Sequence, residues 1–411
     1  MRRLIMSAHT QTAAARNWSP PYFLAALGAG GLSVTFFMYL MFWVPHPGQP
    51  VPVFEDLMSF FATSGAAGKF TVVFAMAGIA AMTALHISLM VFNLRQLAAF
   101  KKSTAYTALM GTNAETQLLA APLAAAMTIN AGFIAGLVFV PGLWGIVEYL
   151  FPLALIAFVL VGIWSFRLLG AFLARVFSEG GFNHKANNSF AQILASFTLS
   201  MVAVGMAAPA AMSETPWIVA TSLTLSSFMM MTTVIVAAVA LVLAVRSILE
   251  HGIAEEAAPT LMVIVPLLTV IGIALLRIDH GLHTTFDVHA AKGATFLMLT
   301  RILAVQILFL MLGMAVLKRI SYSAKFMTSE GKRSAASYAL VCPGVALSVM
   351  LHFWVNKGLV ANGLIEKFST AYWIANTPAL IAQFAMIALV VKLHRLHFAK
   401  GSMTGAAMPA E

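Results

Sequence analysis

Hydrophobic positions along this chain fall in long blocks, and polar positions are confined to the short stretches between them. A helix needs about 20 apolar residues to cross a bilayer. Ten blocks reach that length: 21–45, 68–93, 118–140, 143–166, 188–211, 216–246, 257–277, 294–317, 335–356 and 372–392. The pattern predicts an all-α polytopic membrane protein with ten membrane-crossing helices. Only Pro141-Gly142 separates the third block from the fourth, and only Met212 to Thr215 separates the fifth from the sixth. Links that short force antiparallel neighbours, so the blocks group as five hairpins, each an odd span followed by an even one. The expected organisation is an N-terminal segment (1–20), a ten-helix domain (21–397) and a C-terminal tail (398–411).

The odd spans are punctuated differently from the even ones. Four carry an internal proline: Pro122, Pro209, Pro266 and Pro343. The first follows Pro20-Pro21 and contains Gly28, Gly30 and Gly31. Among the even spans only the fourth (Pro152) and tenth (Pro378) have one. Small polar groups such as Ser33, Thr35, Thr128, Asn130, Ser196, Thr269 and Ser348 also fall on odd spans, although the sixth is rich in them too. Two readings stand: an inner set of odd helices around a pathway, or hydroxyls that bond back to their own helix or glue helices together. The ninth span holds Cys342-Pro343-Gly344 in its middle. Pro343 lacks an N–H, so the carbonyl of Ala339 loses its helical donor. Such a break is tolerated in lipid where the freed backbone is buried in protein or lines a wet cavity. The alternative is an ordinary proline kink in a packed helix.

Composition agrees with the class. Hydrophobic residues make up 61% and charged residues 9% of the 411, against roughly 45–50% and 25% in soluble domains. The net charge of +10 reflects orientation rather than a nucleic-acid partner. Six of the 24 basic residues (Lys69, Arg277, Lys292, Arg301, Lys357 and Lys367) fall on one set of segments, which leaves 18 on the alternate set. The positive-inside rule then places both termini in the cytoplasm. Met1 to Pro20 is polar, with Arg2, Arg3 and Arg16, so it does not read as a cleavable signal. One cysteine excludes an internal disulfide and any cysteine-based metal cage. No Walker motif, dinucleotide fingerprint or Ser/His/Asp constellation is present, which argues against ATP-driven transport and against an enzyme.

Ionisable residues inside spans are functional candidates by default. There are four: His86, Glu148, Arg301 and His352. Glu148 and Arg301 lie at similar depth and offer three readings: a structural pair, a snorkelling Arg301, or an anion-attracting Arg301. The two histidines raise the possibility of a haem, but His86 lies near one end of its span and His352 near the opposite end of the bilayer. The stretch Arg277 to His289 reads as an outer loop, with His280, His283, His289, Asp279 and Asp287 as weak metal-ligand candidates. Cys342 is a silent small residue at a helix crossing, a pathway-lining group or a redox centre.

Ten spans in five hairpins with kinked odd helices resemble the tellurite-resistance/dicarboxylate transporter family, which includes the plant SLAC-type anion channels. Tyr22-Phe23-Leu24-Ala25-Ala26-Leu27-Gly28 is similar to that family's aromatic and Leu-Gly opening. Gly344-Val345-Ala346-Leu347, leading to Leu351-His352, is similar to its ninth helix. The chain also resembles the TsoY (seleno)protein group, which draws attention to Cys342. The first resemblance implies odd helices in an inner ring around a central pore, even helices outside, and a homotrimer in a bacterial inner membrane. It implies a channel or secondary transporter for small anions, inorganic or dicarboxylate-like, without cofactor or metal. In that family a phenylalanine on the ninth helix plugs the pore; the nearest positions here are Leu340 and Val341. The expected pore and gate residues are Leu340, Val341, Cys342, Pro343, Gly344, Phe197, Asn130, Pro122 and Pro266. The alternative is a membrane redox protein using Cys342 or a haem.

Overall fold

The computed structural model describes residues 17–289, 291 and 293–399, and it is helical throughout, with no strand among the described residues. The expectations for Arg2, Arg3, Arg16, Lys292, Lys400 and the tail beyond 399 lie outside the described residues. Among the described residues ten helices are long and apolar enough to cross a membrane. Their regular α parts are α1 (Phe23–Trp43), α2 (Ala66–Phe100), α3 (Ala120–Phe139), α4 (Val147–Glu179), α5 (Leu194–Met206), α6 (Pro216–His251), α7 (Ile264–Phe286), α8 (Ala294–Arg319), α9 (Val341–Phe353) and α10 (Thr370–Phe398). All ten apolar blocks are thus helices. The chain also forms a short helix the hydrophobic pattern did not mark, Phe54–Thr63, between α1 and α2.

Burial separates the helices into two sets. Within the odd spans 56 to 89% of the membrane-crossing stretch is buried inside the protein; within the even spans the share is 22 to 28%. Even helices carry rows of exposed large apolar side chains, such as Leu153, Ile156, Leu160 and Ile163 on α4. In water such rows would be a liability; in lipid they match their solvent. Each odd helix packs on the even helix that follows it. The odd helices also touch one another in succession, α1 on α3, α3 on α5, α5 on α7, α7 on α9, and α9 back on α1.

A shared device starts every odd span. A 3-10 segment precedes the α-helix: Pro20–Tyr22, Asn113–Leu119, Phe190–Ile193, Glu255–Val263 and Ala335–Leu340. These five segments touch one another in a closed circle. The prolines account for where tight winding gives way to α. Pro122, Pro266 and Pro343 are each the third residue of their α-helix. A residue there has no acceptor within the α-helix for its N–H, so proline costs little in the first turn. The expected mid-span break at Cys342-Pro343-Gly344 is therefore corrected. The change of winding comes just before it, and α9 runs unbroken from Val341 to Phe353.

The far ends of two odd spans depart from regular geometry. At α5 the chain turns at Ala207 and resumes as Ala208–Met212, with Pro209 near the start of that piece. At α9 the helix widens into a π segment, Trp354–Val360. The region read as an outer loop from Arg277 is also corrected, since α7 continues to Phe286.

Candidate functional site

The central feature is a cavity of about 630 Å³ whose wall receives side chains from all five odd helices. Each helix supplies one stripe at helical spacing. From α1 come Leu27, Gly31, Val34 and Met38, and from α9 come Cys342, Val345, Val349 and Phe353. Fifteen residues separate Cys342 from Lys357, so the wall runs about 20 Å along the axis at 1.5 Å per residue. Phe133, Phe151 and Phe158 make much of it apolar. Asn130 is a polar exception; its Nδ2 donates to Ala126 O at 3.2 Å and lies 3.6 Å from Met201 S.

A second, smaller space of about 80 Å³ lies inside the circle of 3-10 segments and takes lining residues from all five of them, Pro21, Gln117, Phe190, Ala257 and Ala336 included. The two spaces share Phe197, Pro266 and Cys342 in their walls. These three form the junction between the chambers.

The sequence candidates separate on this wall. Cys342, Phe197, Pro266 and Asn130 line the wide cavity; Leu340, Val341, Pro343, Gly344 and Pro122 do not. Val341 faces Gly28 of α1, where an added Cβ would sit 2.9 Å from Val341 Cγ1. Gly344 faces Met386 of α10. The helical phase that carries Cys342 onto the wall turns its neighbours onto α1 and α10.

The intramembrane ionisable residues are placed as follows. His86 Nδ1 donates to Ala26 O at 2.7 Å, and its Nε2 lies 2.8 Å from Thr128 Oγ1. The imidazole thus bridges α2 to α1 and α3. His352 sits among Tyr39, Phe42 and Trp43. Asn376 lies beside it, yet neither ring nitrogen meets hydrogen-bond geometry. The residues of α1 that meet the two histidines, Ala26 and Tyr39, are 13 apart, about 20 Å along the helix. One haem cannot join them. The pairing of Glu148 with Arg301 is also corrected. Glu148 accepts from Ser213 Oγ (2.7 Å), Glu214 N (2.8 Å) and Thr215 Oγ1 (2.9 Å), which fixes the tight link between α5 and α6. Arg301 is exposed on α8 and makes no ion pair among the described residues.

The sequence reading put Arg277, Asp279, His280 and His283 in an outer loop, the last three as weak metal-ligand candidates, and counted Lys357 only as a loop charge. Arg277, Asp279, His280 and His283 of α7 line the wide chamber, as does Lys357 of the π segment. Arg277 Nη1 donates to Val204 O at 2.7 Å. Lys357 and His283 lie within Coulomb reach of His280. Just outside the spans, partial burial and then the charge of Lys357 hold the Lys367 ammonium below the usual lysine range. The histidines and aspartates of this end do not converge into a metal-holding group of three among the described residues. Searches of protein-family models and of curated proteins find no match to this chain.

Proposed function

We propose that the chain is a channel or secondary transporter for small anions in a bacterial inner membrane. In this reading the odd helices form an inner ring around a central pathway and the even helices an outer ring against lipid. The observation that carries it is the wide cavity, bounded by all five odd helices and narrowing to Phe197, Pro266 and Cys342. Charge supports the choice of anions. The wide chamber holds two basic side chains, Arg277 and Lys357, against one carboxylate, Asp279. The α starts of five helices gather at the narrow end, so the positive ends of their dipoles face the same axis. Phe197 is the gate, in the role assigned from the sequence to bulky residues of the ninth helix. The charge bias of the loops puts both termini in the cytoplasm, and the family resemblance suggests a homotrimer.

Flux into liposomes under a salt gradient tests the function. Anion-selective current or uptake of chloride, nitrate or a dicarboxylate is expected; a tight vesicle with every anion at verified incorporation refutes the proposal. Cysteines introduced at Gly48 and Ser103 should label from opposite sides; labelling of both from one side defeats the topology.

A further inference from the structure

Arg277 is a guanidinium inside a membrane-crossing helix without a carboxylate partner among the described residues. Such a group is expensive in a bilayer and needs a reason. Part of the reason is local. The fifth span turns at Ala207, and Pro209 has no N–H to offer Gly205 O, so the last turn of α5 does not run on as a regular ladder. At this irregular end Arg277 donates through Nη1 to Val204 O at 2.7 Å. That bond occupies one of five N–H groups. Arg277 also lines the wide chamber. Holding one corner of the guanidinium on α5 leaves the rest of the fork fixed toward the cavity.

The same chamber wall carries Lys357. It reaches the wall because the α9 span ends in a π segment, whose wider turn changes the direction of successive side chains. Tyr372 OH donates to Asn356 Oδ1 at 3.0 Å, and Asn356 Nδ2 donates to His352 O at 2.8 Å, so the segment is fastened at the residue just before Lys357. Asp279, His280 and His283 share the wall; Asp279 makes no ion pair with Arg277.

We infer that Arg277 and Lys357 form a binding site for a small carboxylate or other planar oxyanion, Arg277 reading its shape and Lys357 adding charge. A guanidinium fork matches two oxygens of one plane, whereas an ammonium is a point charge with no such preference. The inference deepens the anion-pathway reading of this cavity, and its test needs no transport. Purified full-length protein in detergent is titrated calorimetrically with sodium formate or sodium chloride at constant ionic strength. Wild-type protein should bind formate more tightly than chloride by roughly tenfold, the equivalent of about 1.4 kcal/mol. Arg277→Lys keeps the charge and a donor for Val204, so it should keep chloride binding and lose the preference for formate. Lys357→Gln should weaken both anions by a few-fold and keep the preference. Thermal unfolding in anion-poor buffer confirms that each variant is folded. Equal binding of the two anions by wild type, or an undiminished preference in Arg277→Lys, overturns the site and leaves Arg277 as a helix cap alone. Formate selectivity that disappears in Arg277→Lys establishes the site even if liposomes show no flux, in which case only the transport reading falls.

Discussion

The two chambers both take side chains from the odd spans, the wide one from α4 as well, yet they differ in chemistry. The narrow one is lined by Pro21, Leu24, Phe190, Pro259 and Ala336, with Gln117 and Thr260 among its few polar side chains. The wide one gathers Arg277, Asp279, His280, His283 and Lys357. Backbone geometry follows the same division. At the narrow end every odd span winds tightly and its residues crowd the axis; at the wide end α5 breaks and the α9 span loosens into π. The comparison teaches that polarity collects where helices come undone. A broken turn frees carbonyls that a cation can satisfy, and a widened turn redirects a lysine that would otherwise follow the helix.

Removing the junction between the chambers should have the largest effect. Phe197→Ala is expected to raise liposome flux on the order of tenfold, because an apolar constriction gates by excluding water. Leu340→Ala, two residues before Cys342 but off the wall, should leave flux unchanged; equal leak from both variants would show that Phe197 is not the constriction. Next comes the joint that holds the narrow end together. Gly28→Leu drives a side chain into Val341, already 2.9 Å from an added Cβ, and should destabilise the protein by about 1–3 kcal/mol in detergent unfolding. An unchanged melting temperature would show that α1 and α9 are free to separate there. Lys357→Gln should lower anion flux about threefold at low salt and have little effect near 1 M, where the Debye length is about 3 Å. A salt-independent loss would assign Lys357 a structural role. The smallest change concerns the unpartnered imidazole of His352. His352→Leu replaces a polar ring among aromatics and should be neutral or stabilising by up to about 1 kcal/mol; clear destabilisation would reveal a partner, such as a buried water.

The membrane-crossing helices could be located from sequence because each had to carry enough apolar residues. Their ends were less visible. Helices α2, α4 and α10 run on to Phe100, Glu179 and Phe398, past Arg95, Arg175 and Lys392, since a helix already nucleated in the apolar stretch gains one hydrogen bond for each residue added beyond it. The prolines marked irregular places, but sequence did not distinguish a kink from the junction of two windings. That distinction decides helical phase, and phase decides whether Cys342 or Leu340 faces the axis. Arg277 was hidden for a related reason. The apolar block stops there, and charges with histidines look like a loop, although the helix continues for nine more residues to Phe286. Glu148 and Arg301 matched in depth, yet depth along a helix says nothing about direction around it.

The circle of 3-10 segments has a mechanical consequence. A 3-10 turn advances about 2.0 Å and 120° per residue, an α turn 1.5 Å and 100°. For the six residues Ala335–Leu340, rewinding to α would shorten the segment by about 3 Å and rotate one end against the other by about 120°. Cys342 lies two residues beyond that segment, so rewinding would act on it as torque. Five such screws meet around one axis. A small change of pitch in the three that precede α5, α7 and α9 translates into rotation of a side chain at the junction, with no need for a whole helix to tilt.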